Sequence, residues 1–187
     1  MHDFTVIALE GAYGTSVAAT LDLLGAAGEI APRNRAPAPR WRLCSMKGGS
    51  VRLQSGMQVD TSRLVPKPRA DTSTWVIPGL ALNTESAVME GLEREDCRQL
   101  ACAIAAHIEG GGRVAACCSA VFLLHLAGVL EGRQATTSWW LAPLLQRLAP
   151  GAKVNAKRMV CVDGPVVTGG AAFAQVHLPE RQHLARR

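Results

Sequence analysis

The side chains best suited to nucleophilic or metal chemistry in this chain of 187 residues are six cysteines and five histidines. The cysteines stand at 44, 97, 102, 117, 118 and 161, with no C-x-x-C pair and no histidine at zinc-ligand spacing, so no metal site is expected. Cys118 is set apart by its surroundings. It follows the short apolar run Val114-Ala115-Ala116-Cys117, of the kind a buried parallel strand shows, and precedes an apolar stretch at 121–130 long enough for helix. Strand, abrupt turn of small residues and helix form a nucleophile elbow, which lifts one side chain into the open at the strand's C-terminal end. There the helix dipole and free backbone N–H groups favour a thiolate. The spacing alone favours a small buried hydrophobe, the usual role of an unpaired cysteine. Cys117, one position earlier, should point to the other side of the sheet.

A thiol nucleophile needs a base or another means of staying ionised. His125 would lie two turns, about 10 Å, down the elbow helix, and is read as packed or solvent-facing. His107 falls in the last turn of the preceding helix, where it is read as structural and as a complement to the dipole.

The elements that must position Cys118 follow an alternating pattern. Residues 4–9 (FTVIAL) read as a first buried strand, and a glycine-containing turn at 10–14 leads to a helix capped by Thr15 or Ser16, with Val17, Leu21, Leu24 and Ala27 at helical period. That turn lacks both G-x-G-x-x-G and G-x-x-x-x-G-K, which argues against phosphate binding. The stretch 31–40 (APRNRAPAPR) is a basic, proline-rich connector, too broken for an element. A strand at 41–45, a hairpin arm spanning 51–60, another connector at 66–68 and a strand at 74–79 ending in Pro78-Gly79 come next. Residues 83–93 read as loop or short helix, and 96–108 as a helix stopped by the glycines 110–112. After the elbow come a helix at 141–148, short strands at 154 and 159–162, a turn at Asp163-Gly164, and a last strand into Gly169-Gly170. This alternation predicts an α/β domain with a mostly parallel sheet, helices on both faces and the strand ends converging on one crevice.

Composition sets outer bounds. A hydrophobic fraction of 48% against 19% charged suits one compact α/β domain. No run approaches the roughly 18 apolar residues of a membrane span, and the N-terminus lacks a signal-peptide pattern, so a reducing cytoplasm is expected. The formal charge of +5 is spread over small clusters at 33–42, 67–69 and 181–187, without the aromatic interleaving of a single-strand binder or a visible helix-turn-helix. A solvated basic surface is the better reading.

Three stretches carry a family resemblance: Cys118-Ser119-Ala120-Val121-Phe122, Ala127-Gly128-Val129-Leu130-Glu131-Gly132-Arg133 and Ala135-Thr136-Thr137-Ser138-Trp139. The chain resembles the ThiJ/PfpI family, and in particular the class I glutamine-amidotransferase-like sensor domain of AraC-type transcription regulators, whose pattern runs roughly C-T-G-A-F, A-G-L-L-D-G-R, A-T-T-H-W. The resemblance implies a flavodoxin-like three-layer sandwich over residues 1–176, followed by a truncated, polar, basic tail at 177–187 where Pro179 would break the closing helix. It implies that the N–H of Gly79 or Leu80, with that of Ser119, forms an anion or oxyanion site opposite Cys118. It also places serines where relatives carry proton-transfer groups: Ser16 for an acid, Ser119 and Ser138 for histidines.

With serines at 16, 119 and 138, nothing visible shuttles protons to Cys118, the one catalytic candidate. The expected function is therefore a non-catalytic sensing and dimerisation domain, in which Ser16, Gly79, Leu80, Cys118, Ser119 and Ser138 bind an unidentified small molecule without cofactor or metal. The expected assembly is a homodimer in which the hairpin arm takes part, and DNA would be read only through a C-terminal domain this chain lacks. The alternative is a cysteine-dependent enzyme resembling isonitrile hydratases, with Ser119 as the hydroxyl beside the thiol.

Overall fold

A computed structural model describes residues 3–66 and 71–171. The expectations for a connector at 66–68, a basic cluster at 67–69, a closing helix from Ala171 and the tail at 177–187 lie wholly or largely outside the described residues.

Four buried runs make the centre of the sheet: β1 (Phe4–Ile7), β5 (Thr74–Ile77), β6 (Arg113–Cys117) and β10 (Val166–Gly169). All four residues of β5, Thr-Trp-Val-Ile, are buried, as a strand covered on both faces requires. β2 (Trp41–Ser45) pairs with the outer edge of β1, and the hairpin of β3 (Gly49–Arg52) and β4 (Gln58–Arg63) extends the sheet beyond it. The eight strands run in the order β3-β4-β2-β1-β5-β6-β10-β9, with β9 (Val160–Asp163) at the far edge. Every pairing from β4 to β10 is parallel, and only β3 and β9 are antiparallel to their neighbours.

Alternate side chains of the strands serve opposite faces. Val6, Val76, Ala115, Cys117 and Val167 pack on the side of α1 (Gly14–Ile30), which contributes Leu24. Ile7, Trp75, Ile77, Val114 and Ala116 belong to the larger core on the opposite face, shared with α2 (Glu85–Glu93) and α3 (Glu95–Glu109). The elbow helix α4 (Val121–Leu126) and α5 (Ala142–Leu148) complete this layer. The result is the expected three-layer α/β sandwich of flavodoxin type.

Several local expectations are corrected. α1 begins at Gly14 with Tyr13 at its N-cap and no side-chain cap, so neither Thr15 nor Ser16 caps it; Ser16 turns inward instead. The connector opens with a 3-10 turn, Ala31–Asn34, closed by Arg35 in a left-handed conformation. α4 stops at Leu126 rather than near 130, because Gly128 takes φ +72° and the N–H groups of Ala127, Gly128 and Val129 close back on the last turn. A two-strand ribbon, β7 (Gln134–Ala135) with β8 (Lys153–Val154), is too short for any periodicity to announce.

His107 is structural, as expected, but not as a charge at a helix end. It is 1% exposed, stacked on Trp75 with ring centroids 4.1 Å apart, and its Nε2–H donates to the Ser73 carbonyl at 3.0 Å. Burial holds it below the ordinary imidazole value, against the opposing pull of the Asp71 charge and of backbone partners, so it is neutral near pH 7. Asp71 anchors this end of the sheet by accepting from Ser73, Trp75 Nε1 and Arg42.

The elbow is formed by a 3-10 turn, Cys118–Ala120, between β6 and α4. Cys118 has φ +56°, a left-handed conformation that costs a side-chain-bearing residue about 1–2 kcal/mol. Cys117 packs in the core on the α1 side and Cys118 points elsewhere, as expected for adjacent residues at such a turn, but Cys118 is only 5% exposed, so the elbow does not lift the thiol into the open.

Two outcomes follow. Glycine ordinarily destabilises a structured position by about 0.5–1 kcal/mol relative to alanine, but at 118 the order should invert. Cys118→Gly is expected to be at least as stable as Cys118→Ala in urea denaturation, and a clearly less stable glycine variant would deny the strain. The second concerns pH. Unfolded His107 titrates near about 6.5 and the folded group lower, so the unfolded chain binds more protons below that value. This stability is present above about pH 6.5 and is lost as pH falls toward the folded pKa. His125, half-buried and lowered by the same desolvation, adds to the loss. Urea midpoints should therefore drop between about pH 7 and pH 5, with a shallower drop in His107→Gln. Equal slopes in the two proteins would contradict the assignment.

Candidate functional site

The sheet's C-terminal ends bring the turn after β1, the turn after β5, the elbow and the segment before α5 together. Ala12 and Leu80 form an antiparallel bridge, in which Tyr13 N–H donates to the Gly79 carbonyl and Ala81 N–H to that of Gly11. Gly79 faces the elbow closely: a Cβ there would stand 3.2 Å from Cβ of Cys118 and 3.5 Å from the Tyr13 ring. Any larger residue would push the elbow away from β5.

Three hydroxyls fix the turn. Thr137 Oγ1 donates to the Cys118 carbonyl at 2.7 Å, and Ser119 Oγ donates to the Leu80 carbonyl at 2.5 Å. Ser138 Oγ lies 2.8 Å from Cys118 Sγ. Ser138 thus stands where the resemblance placed a histidine, twenty residues beyond the cysteine and in direct contact with it. A neutral hydroxyl can share a hydrogen bond with the thiol but cannot hold its proton as a base.

Ser16 is 1% exposed, and its Oγ accepts from Gly79 N–H at 3.0 Å. This removes Gly79 from the two donors expected for the oxyanion site, Gly79 or Leu80, because its N–H is directed to a side chain of the protein. Ser119 is likewise fully buried, with its hydroxyl turned to Leu80 rather than to the thiol.

Beside Cys118 lies a cavity of about 660 Å³. Of the six residues expected to bind a ligand, Cys118 and Ser138 line its wall; Ser16, Gly79, Leu80 and Ser119 lie behind them and hold the elbow in place. The wall also takes Tyr13, Asn83, Thr137, Trp139, Trp140 and Arg158, which residue spacing did not single out. Tyr13 OH donates to Asn83 Oδ1 at 2.5 Å and Trp140 Nε1 to the Asn83 carbonyl at 3.2 Å, which ties three chain segments at the rim. The available signals were the Thr137-Ser138-Trp139 stretch of the family resemblance and the Trp139-Trp140 pair, conspicuous in a chain with 4% aromatic residues.

Among the described residues no carboxylate or imidazole lines this cavity, and no three His, Cys, Asp or Glu side chains cluster as a metal site would require. His125 lies near the end of α4, away from the wall. Three other buried cysteines are held as neutral thiols: burial raises Cys44 and Cys161, and burial with the nearby Asp96 charge pushes Cys97 up to about 11. No helix of the described residues is long and apolar enough to cross a membrane.

Comparison with known proteins agrees with this architecture. Residues 42–178 match the model of the DJ-1/PfpI family. A protein described as an uncharacterized protein in the cpoL 5'region of Streptomyces lividans is 34% identical over 131 residues, covering 70% of this chain and 86% of that protein. Among solved structures, an AraC family transcriptional regulator from Pseudomonas putida superposes with a TM-score of 0.76 at 19% identity, covering 100% of this chain and 92% of that one. Drosophila melanogaster DJ-1beta gives a TM-score of 0.72 at 21% identity, with 100% and 92% covered. A putative transcriptional regulator from Vibrio parahaemolyticus gives 0.72 at 17% identity, with 98% and 96% covered. These likenesses to solved structures concern the fold. The family match spans most of the chain and includes the elbow, the Thr137-Ser138 segment and the last strand: the chain belongs to the DJ-1/PfpI family.

Proposed function

We propose that this chain is a ligand-sensing and dimerisation domain of the AraC-regulator type, without catalytic turnover. One observation carries the reading. Cys118 faces a cavity large enough for a small molecule, yet its partner is the Ser138 hydroxyl, and the described wall offers nothing that exchanges protons near neutral pH. A binding pocket needs shape and a few placed polar groups, and this one has both. Thiol catalysis needs a base as well. The likeness to the P. putida and V. parahaemolyticus structures supports the same direction. Under this reading the domain acts in the cytoplasm as a homodimer, the β3–β4 arm contributes to the dimer contact, and DNA is read by a separate helix-turn-helix domain.

A second reading, a cysteine-dependent hydratase, draws on the strained elbow. A left-handed Cys118 is retained beside the cavity although glycine would relieve it, and such strain gathers at functional sites.

Incubation with cyclohexyl isocyanide separates the two readings, since hydration consumes one water and releases the N-cyclohexyl formamide. Formamide production by the wild type is expected to match that of Cys118→Ser within about twofold. Turnover in the wild type that vanishes in Cys118→Ser would replace the sensing role with the enzymatic one. Sedimentation equilibrium is expected to show a particle of two chains; a monomer at every concentration would remove dimerisation from the proposal.

A further inference from the structure

Two cavities at the C-terminal ends of the strands differ in charge. The one between β1, β2 and α3, of about 430 Å³, carries Glu10, Glu95 and Asp96 against Lys47 and Arg94, and Arg94 is paired with Asp96 at 2.5 Å. The one beside Cys118 carries Arg158 as its charged residue, and Arg158 enters no ion pair among the described residues. Among the described residues, the Cys118 side therefore carries a positive charge without a carboxylate against it.

Its rim is aromatic. Trp139 and Trp140 meet edge to face, with centroids 5.7 Å apart and planes at 82°, and remain 72% and 46% exposed. Met159, beside Arg158 in sequence, is 58% exposed and lines the same cavity. Indole faces left in water accept either a cation or a flat apolar body. Arg158 decides between the two. In a partly enclosed space a second cation would meet a like charge without a carboxylate to offset it, whereas an anion would be attracted.

We infer that the cavity takes a small organic anion with a flat apolar body, its acidic end held at Arg158 and its body against Trp139 and Trp140. This deepens the sensing role and rests on it. The Ser138 hydroxyl and the Thr137 segment then form the polar floor, and Cys118 is a packing surface within it.

Isothermal titration of the full chain with phenylacetate, phenylacetamide and phenethylammonium tests the inference with three probes of similar size and different charge. Phenylacetate is expected to bind at least about tenfold more tightly than the amide, as a charge-assisted contact should, with the ammonium weakest. Arg158→Gln should bring phenylacetate down to the level of the amide and leave the amide unchanged. Trp139→Ala should weaken acid and amide alike. Both side chains are exposed, so neither change threatens the fold. Amide or ammonium binding as strong as that of the acid overturns the anion class while leaving a sensing cavity. A preference for the acid that survives Arg158→Gln also overturns it. Heat from none of the three probes overturns the anion inference, whereas the failure of the sensing role itself is read separately, from Cys118-dependent turnover.

Discussion

The left-handed turn at Cys118 is the constraint to which the rest of the site is fitted. A residue with a Cβ resists φ +56°, and a cost of about 1–2 kcal/mol is tolerable only where neighbouring contacts fix the chain on both sides. Those contacts come from three separate parts of the sequence. Thr137 holds the Cys118 carbonyl, Ser119 holds the carbonyl of Leu80, and Gly79 leaves room for the elbow against β5. Ser16 satisfies the Gly79 N–H. Of the serines read as vacancies in a catalytic scheme, Ser16 and Ser119 thus act as mechanical supports, each closing a bond to a buried backbone group that would otherwise be unpaired.

The two ends of the parallel sheet divide the polar chemistry. At the N-terminal ends, Asp71 is held below its ordinary value: burial acts to raise it, but hydrogen bonds from Ser73 and Trp75 with the charge of Arg42 outweigh that. Together with the His107–Trp75 stack, this cluster serves stability, with His107 Nδ1 left buried without a hydrogen-bond partner among the described residues. At the C-terminal ends the polar groups converge on open space instead, where ligands of open α/β sheets characteristically bind. One strand links the two regions, since β5 follows Ser73 at one end and leads to Gly79 at the other.

Much of this was legible from residue types. Buried parallel strands are short apolar runs, so β1, β5, β6 and β10 could be placed within a residue or two, and the contact of Cys118 with Ser138 follows from the family pattern. The orientation of single hydroxyls was not legible. A serine bonds a ligand or a backbone N–H with equal ease, and only the fold decides that Ser16 meets Gly79. Tyr13, Asn83 and Arg158 were missed because they come from loops far apart in sequence, gathered by strand order rather than by spacing. The early end of α4 depends on the backbone angle of Gly128, which its position in an apolar run concealed.

The chain has four tryptophans, and their placement gives the molecule a built-in optical reporter. Trp75 is buried and stacked on an imidazole, so its emission is governed by an interior that no small molecule reaches. Trp41 lies in β2, at a distance in the sheet from the cavity rim. Trp139 and Trp140 are 72% and 46% exposed and form the rim itself. Long-wavelength emission from this protein is consequently weighted toward the two indoles that an occupant would shield, and a blue shift without unfolding marks a filled cavity.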